Sequence, residues 1–245
     1  MERGRQQSLS KAVDFRDRHV VVTGGTGALG SAVVGALLEA GASCHVPFFV
    51  EAGTKDFPHR ENPRVKLIAT SSLTDEAEVT RLFDTVPNPW ASIHLVGGFA
   101  MSTVSDTDKA ALMQQIDTNL VTCFLCCRAA VQAMTRGRAG GRIVNVTSRP
   151  GIEWRTGAGL AAYAASKAAV AALTVALAEE VVKDGILVNA VAPSIMDTPA
   201  NRAAMPKADY SAWPKVDEVS QAILFLASPD NKVTRGAIAT VYGRA

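Results

Sequence analysis

"HVVVTGGTGALGSAVVGALLEAG", residues 19–41, is the stretch that decides the fold. Its first five residues are a β-branched run and read as a short buried strand. The run breaks off at "TGGTGALG", residues 23–30, and "SAVVGALLEAG", residues 31–41, reads as a helix ending at Gly41. Strand, glycine turn and helix in this order present free N–H groups and a positive dipole end at the turn, which suits a pyrophosphate. By itself such a turn is as often a plain connection, so the context must decide.

Outward from it, strand-like runs alternate with helical ones. The strands are "SCHVPFF" (43–49), "RVKLIAT" (64–70), "SIHLVGG" (92–98), "GRIVNVT" (141–147), "ILVNAVA" (186–192) and "AIATVYG" (237–243). Helices are expected at 75–86, at about 106–135, around "YAASK" (163–167), and near 216–227. This alternation indicates βαβ units and an α/β architecture: a doubly wound, mostly parallel sheet with helices on both faces. Two stretches lack a period, 149–160 and 194–215. Both follow strands, and open α/β sheets bind ligands outside the carboxyl ends of their strands, so these loops are expected to frame the site.

At 245 residues and 48% hydrophobic content the chain can fill one core. We expect a flexible arm over residues 1–12 and a single domain over 13–245. A net charge of +2, with both signs scattered, excludes the basic stripe that nucleic acid or an anionic membrane requires. The N-terminus has no apolar signal core and no uncharged run reaches membrane-span length, so a cytoplasmic protein with small-molecule partners is expected. The cysteines are Cys44, Cys123, Cys126 and Cys127. A zinc reading needs a second ligand pair close in space, so they read as packing residues and no metal site is expected.

"YAASK" places a phenol and an ammonium in an otherwise apolar helix. Tyr163 and Lys167 are four residues apart, hence on one helix face. Upstream, "GRIVNVTS" ends in Thr147 and Ser148, on the sheet edge that also carries the glycine turn. A Tyr is too weak an acid to exchange its proton easily at neutral pH, and a nearby ammonium favours the phenolate. Lys167 is positioned to supply that charge, with Tyr163 as general acid or base and Ser148 holding a substrate oxygen.

With these residues in place, the chain from about 18 to 243 resembles the short-chain dehydrogenase/reductase family, whose fold is Rossmann-type. The motifs follow in the family's order: "TGGTGALG", Asn119 in "IDTNL", Ser148 after "IVNV", Tyr163 and Lys167 in "YAASK", and "NAVAPSIMDTP". The resemblance implies an NAD(P)(H)-dependent oxidoreductase that moves a hydride between nicotinamide and a carbonyl or alcohol carbon. It implies a catalytic set of Asn119, Ser148, Tyr163 and Lys167. It also implies cofactor contacts at Gly24, Thr26, Ala28, Leu29, Gly30, Gly97, Tyr163, Lys167, Pro193, Ile195 and Thr198, and a homodimer or homotetramer.

The match departs in places. Ala28 stands for the middle glycine of the turn, Ser72 for an adenine-side Asp, Ser194 for a glycine, and "LVGG" (95–98) for Asn-Asn-Ala-Gly. The second strand ends in Phe48 and Phe49, with neither an acid nor an arginine, so NAD and NADP are not separated. Phe99, Met101, Trp154, Met205 and Trp213 are candidates for an apolar pocket, and Arg149, Arg155 or Arg202 for an acidic substrate group. "VGGFA" and residues 197–213 also resemble dihydropteridine reductase, but the serine at 148 favours an ordinary carbonyl or alcohol over a pterin. The alternative to an enzyme is a catalytically silent dinucleotide-binding regulatory protein.

Overall fold

The structure, a computed structural model, describes residues 13–244; the expected arm over residues 1–12 lies outside the described residues. Seven parallel strands form one sheet in the order β3-β2-β1-β4-β5-β6-β7. In sequence they are β1 (His19–Thr23), β2 (Ser43–Phe48), β3 (Val65–Ala69), β4 (Pro89–His94), β5 (Gly141–Val146), β6 (Ile186–Pro193) and β7 (Ile238–Val241). The sheet is thus wholly parallel, and the strand order reverses between β1 and β4, the crevice where such sheets take ligands.

The central strands are rich in β-branched residues because both faces are covered. All eight residues of β6, including Asn189, are buried. One face carries α1 (Ala28–Glu39) and α8 (Val216–Ala227), which pack on each other and bury Val33, Leu37 and Ile223. The other carries α2 (Glu76–Asp84), α4 (Thr122–Gly137) and α6 (Ala161–Glu180), around Leu82, Phe83, Met134 and Val170. Helix α6 is apolar and long enough by composition to cross a bilayer. Here it is a core helix: Lys167 and Thr174 are buried and bonded to β5.

Three readings need correction. Helix α1 starts at Ala28, three residues before the expected Ser31, so the last glycine of the turn already lies in the helix. The helix expected over 106–135 is α3 (Lys109–Ile116) and α4 joined by a π-helical turn, Asp117–Val121. The two aperiodic stretches contain α5 (Arg149–Ile152) and α7 (Pro199–Ala204). Ser148 and Thr198 cap them through their side chains, and a proline in the first turn of each fixes φ.

Candidate active site

The glycine turn connects β1 to α1. Gly27 precedes the helix in extended conformation and no side chain caps it, so the N–H groups of Ala28, Leu29 and Gly30 lack intrahelical partners. Ala28 is exposed at the first helical position and Thr26 is half-buried beside it. Gly30 cannot be anything larger: a Cβ there would lie 2.1 Å from the Gly24 carbonyl oxygen. The turn keeps the open helix end that a pyrophosphate needs.

At the carboxyl end of β5, three side chains from two elements converge. Buried Ser148 follows the strand, and its Oγ accepts from the Gly151 N–H at 3.3 Å. One helix of the opposite layer, α6, brings Tyr163 and Lys167. The Lys167 Nζ donates to the Val146 carbonyl at 3.0 Å, and Thr147 Oγ1 donates to the Lys167 carbonyl at 2.6 Å, fixing the helix on the strand end. Burial lowers Lys167 from 10.5 to about 8, with Cys123 acting in the opposite direction.

Burial also pushes the Tyr163 phenol above its ordinary value of 10, while the Ser148 hydroxyl that faces it pulls the other way. This corrects the reading of the phenolate. The Lys167 ammonium is turned to a strand carbonyl, and desolvation, not the lysine, dominates the phenol.

The π-helical turn positions Asn119. Its Nδ2 donates to the Gly98 carbonyl and to Ser166 Oγ, both at 3.0 Å, and its Oδ1 accepts from the Gly98 N–H at 2.9 Å. Ser166 Oγ in turn donates to the Tyr163 carbonyl at 2.7 Å. Asn119 therefore ties the segment after β4 to the helix that carries the phenol. Next to it, a Cβ on Gly97 would lie 2.8 Å from Asn119 Oδ1 and 3.0 Å from Lys167 Nζ. Gly97, Asn119 and Lys167 thus meet around one small space that only glycine leaves open. Gly98 and Ser166 were not picked out from sequence; Ser166, a polar residue inside the "YAASK" helix, was the available signal.

Pro193 ends β6, and Ser194 takes the place of a family glycine by bonding to the next strand: its N–H donates to the Val241 carbonyl at 3.2 Å and its Oγ to that of Tyr242 at 2.9 Å. Ile195 is exposed. Thr198 is buried, with Oγ1 accepting from the Asn201 N–H at 3.2 Å. Beyond β2, Glu51 and Arg60 pair with each other at 3.0 Å. Ser72 holds the turn into α2 through Thr74.

On the substrate side, the Phe99 and Tyr163 rings meet edge to face, with centroids 5.1 Å apart at 77°. Met101 and Trp154 are exposed. Trp213 is buried against Tyr210, at 5.0 Å, which removes it from an open pocket wall. Arg149 pairs with Glu153 at 2.7 Å and Arg202 with Asp197 at 2.6 Å, whereas Arg155 makes no ion pair among the described residues.

The open helix end, the space at Gly97 and the buried Lys167 fit a dinucleotide laid across the strand ends from β1 to β5. A profile of the family described as short chain dehydrogenase matches residues 18–209. A cis-4-hydroxycyclohexanecarboxylate dehydrogenase of Sinomonas cyclohexanicum is 33% identical over 94% of this chain and 96% of its own. A 3alpha-hydroxysteroid dehydrogenase of Mediterraneibacter gnavus is 32% identical over 94% of this chain and 98% of its own. The solved structure of a short-chain type dehydrogenase/reductase from Mycobacterium ulcerans superposes with a TM-score of 0.85 at 24% identity, covering 95% of this chain and 90% of that one. The chain belongs to the short-chain dehydrogenase/reductase family, oxidoreductases that act on CH–OH or C=O groups with NAD(P)(H).

Proposed function

We propose that this protein interconverts a secondary alcohol and its ketone on a small molecule, with Tyr163 as general acid/base, Ser148 holding the substrate oxygen, and Lys167 and Asn119 completing the catalytic set. The observation that carries this reading is the convergence of the Ser148 hydroxyl and the Tyr163 phenol where β5 ends, over a buried ammonium. When bound, NAD(P)(H) supplies or accepts the hydride. Gly24, Thr26, Ala28, Leu29, Gly30, Gly97, Pro193, Ile195 and Thr198 would hold it, together with Tyr163 and Lys167.

The Tyr163 phenol, like any tyrosine, is protonated at neutral pH and can donate to a ketone oxygen as that oxygen gains charge; burial makes it a weaker acid, and the Ser148 hydroxyl acts against that. The Ser148 hydroxyl can donate to the same oxygen, a pre-oriented dipole that strengthens as charge develops. Phe99 covers the phenol and offers an apolar edge to a substrate ring. The two relatives named above are dehydrogenases of hydroxylated ring compounds, which makes alicyclic secondary alcohols the first substrate class to test. We further propose a homodimer or homotetramer, since Leu112 and Met113 on α3, Phe124 on α4 and Val175 on α6 are exposed.

The test is titration of the protein with NADH and with NADPH, followed by nicotinamide fluorescence, and then turnover on cyclic ketones and alcohols. One form should bind and support turnover that Tyr163→Phe abolishes. Binding without any Tyr163-dependent turnover would favour the silent regulatory reading, and binding of neither form would refute the cofactor site.

A further inference from the structure

Beneath the strand ends lies a buried polar cluster that the proposed reaction does not use. Strands β4 and β5 pair with His94 directly opposite Asn145. Over them, α4 brings Cys123 and Cys127, one turn apart. The donor atoms of His94, Cys123 and Cys127 all lie within 4.8 Å of one another, and all three residues are buried. Asn145 joins them: its Oδ1 is 2.8 Å from His94 Nδ1 and 3.4 Å from Cys127 Sγ, and Cys127 Sγ is 3.5 Å from His94 Nδ1.

We infer that His94, Cys123 and Cys127, with Asn145 Oδ1 as fourth donor, form a buried tetrahedral site for a thiophilic divalent cation of the zinc class. Metal–sulfur bonds of about 2.3 Å and metal–nitrogen bonds of about 2.0–2.1 Å give tetrahedral edges of about 3.4–3.8 Å. The two edges to Cys127 fall in that range or at its limit; to complete the polyhedron the 2.8 Å His94–Asn145 contact lengthens by about 0.6 Å, and Cys123 Sγ, within 4.8 Å of the His94 and Cys127 donor atoms, closes to bonding distance of the same ion.

The outer partners are those a metal site needs. His94 Nε2 lies 2.8 Å from Ser92 Oγ, which fixes the ring, and Asn145 Nδ2 donates to Thr174 Oγ1 at 2.9 Å, which aims the amide oxygen inward. Without a cation, His94 Nδ1 donates to Asn145 and Ser92 donates to Nε2. On binding, the ring proton resides on Nε2 and Ser92 becomes the acceptor, while both sulfurs bind as thiolates, any thiol proton leaving to solvent, and no electron moves. Cys126 and Cys44 are also buried but belong to no such cluster among the described residues, so the sequence reading of cysteines as packing residues is kept for those two.

Because the ligands are enclosed, the protein is denatured and refolded under a non-chelating reductant with one equivalent of Co²⁺ or Zn²⁺. The expected result is one tightly held ion per chain, thiolate-to-cobalt charge-transfer absorption, and two sulfur neighbours by X-ray absorption. Cys123→Ser and Cys127→Ser each abolish the absorption, whereas Cys126→Ser and Cys44→Ser keep it. Absence of a retained ion, or an ion with no sulfur neighbour, in the refolded native sequence overturns the proposal. This holds even if the cluster variants fail to fold. None of these readouts depends on oxidoreductase activity, so failure of the catalytic reading leaves the test intact.

Discussion

Lys167 should make the protein less stable than it would be with an apolar side chain at the same place. The residue is only 6% exposed, and burial lowers its pKa from 10.5 to about 8. That drop of about 2.5 corresponds to about 3.4 kcal/mol at about 1.36 kcal/mol per pH unit. The folded-state pKa lies below the unfolded one, so between about 8 and 10.5 the unfolded chain binds more protons and stability rises with pH. The penalty is fully present below about 8 and gone above about 10.5. Lys167→Met removes it but also removes the bond from Nζ to the Val146 carbonyl, a loss of about 1 kcal/mol. The variant should therefore gain about 2 kcal/mol at pH 7, or about 4–8 °C in Tm for a chain of this size. By pH 10, linkage returns about 2.5 kcal/mol to the wild type and the two proteins should be close to parity. Urea unfolding of both at pH 7 and pH 10 measures this, because titrating groups that do not interact with Lys167 cancel in the difference, and repeating the pair in a Cys123→Ala background removes the group that does. A difference that does not change with pH, or a variant weaker at pH 7, would refute the burial argument; turnover should be lost in either case.

Tyr163→Phe should lower kcat by about 10²–10⁴-fold and leave the dissociation constant for the preferred nicotinamide cofactor within about threefold, measured by fluorescence titration. Gly97→Ala places a methyl against buried Asn119 Oδ1 and Lys167 Nζ, so their displacement should cut kcat by about tenfold to a hundredfold and lower stability by about 1–3 kcal/mol, measured by turnover and thermal unfolding. Phe99→Ala uncovers the phenol, whose pKa burial raises. The pH profile of alcohol oxidation should move toward lower pH, and an unmoved profile would mean that another group supplies the burial.

The layered fold was legible because parallel strands buried on both faces must be apolar throughout, and the valine-rich runs around 20–22, 143–146 and 186–192 say so directly. Ser148, Tyr163 and Lys167 were legible for another reason: a hydroxyl at a strand end and a Tyr–Lys pair at helical spacing are local patterns. The π-helical turn at 117–121 was not, since it arises where Asn119 reaches both backbone groups of Gly98, 21 residues away. Periodicity carries no trace of such a tertiary pull. The short helices α5 and α7 were legible in principle, because Ser148-Arg149-Pro150 and Thr198-Pro199 are cap-and-proline signals inside stretches read as irregular. The pairing of Glu51 with Arg60 and the burial of Trp213 depend on how loops fold back, and spacing alone does not carry that.

The polar residues enclosed around the ends of β4 and β5 are concentrated where packing alone gives no reason for them. His94, Asn119, Asn145, Ser166, Lys167 and Thr174 are all buried there, and each is joined to another of the set or to the strand and loop backbone beside it. Apolar side chains of similar size could fill the same volume without needing partners, and burial disfavours the Lys167 ammonium, as its lowered pKa reflects. His94, Asn145 and Thr174 belong to the cluster that the proposed reaction does not use, but from Asn119, Ser166 and Lys167 a fold kept only for its shape, as a silent scaffold would be, gains nothing. An enzyme does: the network through Asn119 and Ser166 fixes the helix that carries Tyr163 and Lys167. Lys167 and Tyr163, the proposed acid/base, lie one turn apart on α6, which is why the stability measurement at Lys167 and the turnover measurement at Tyr163 test one arrangement from two sides.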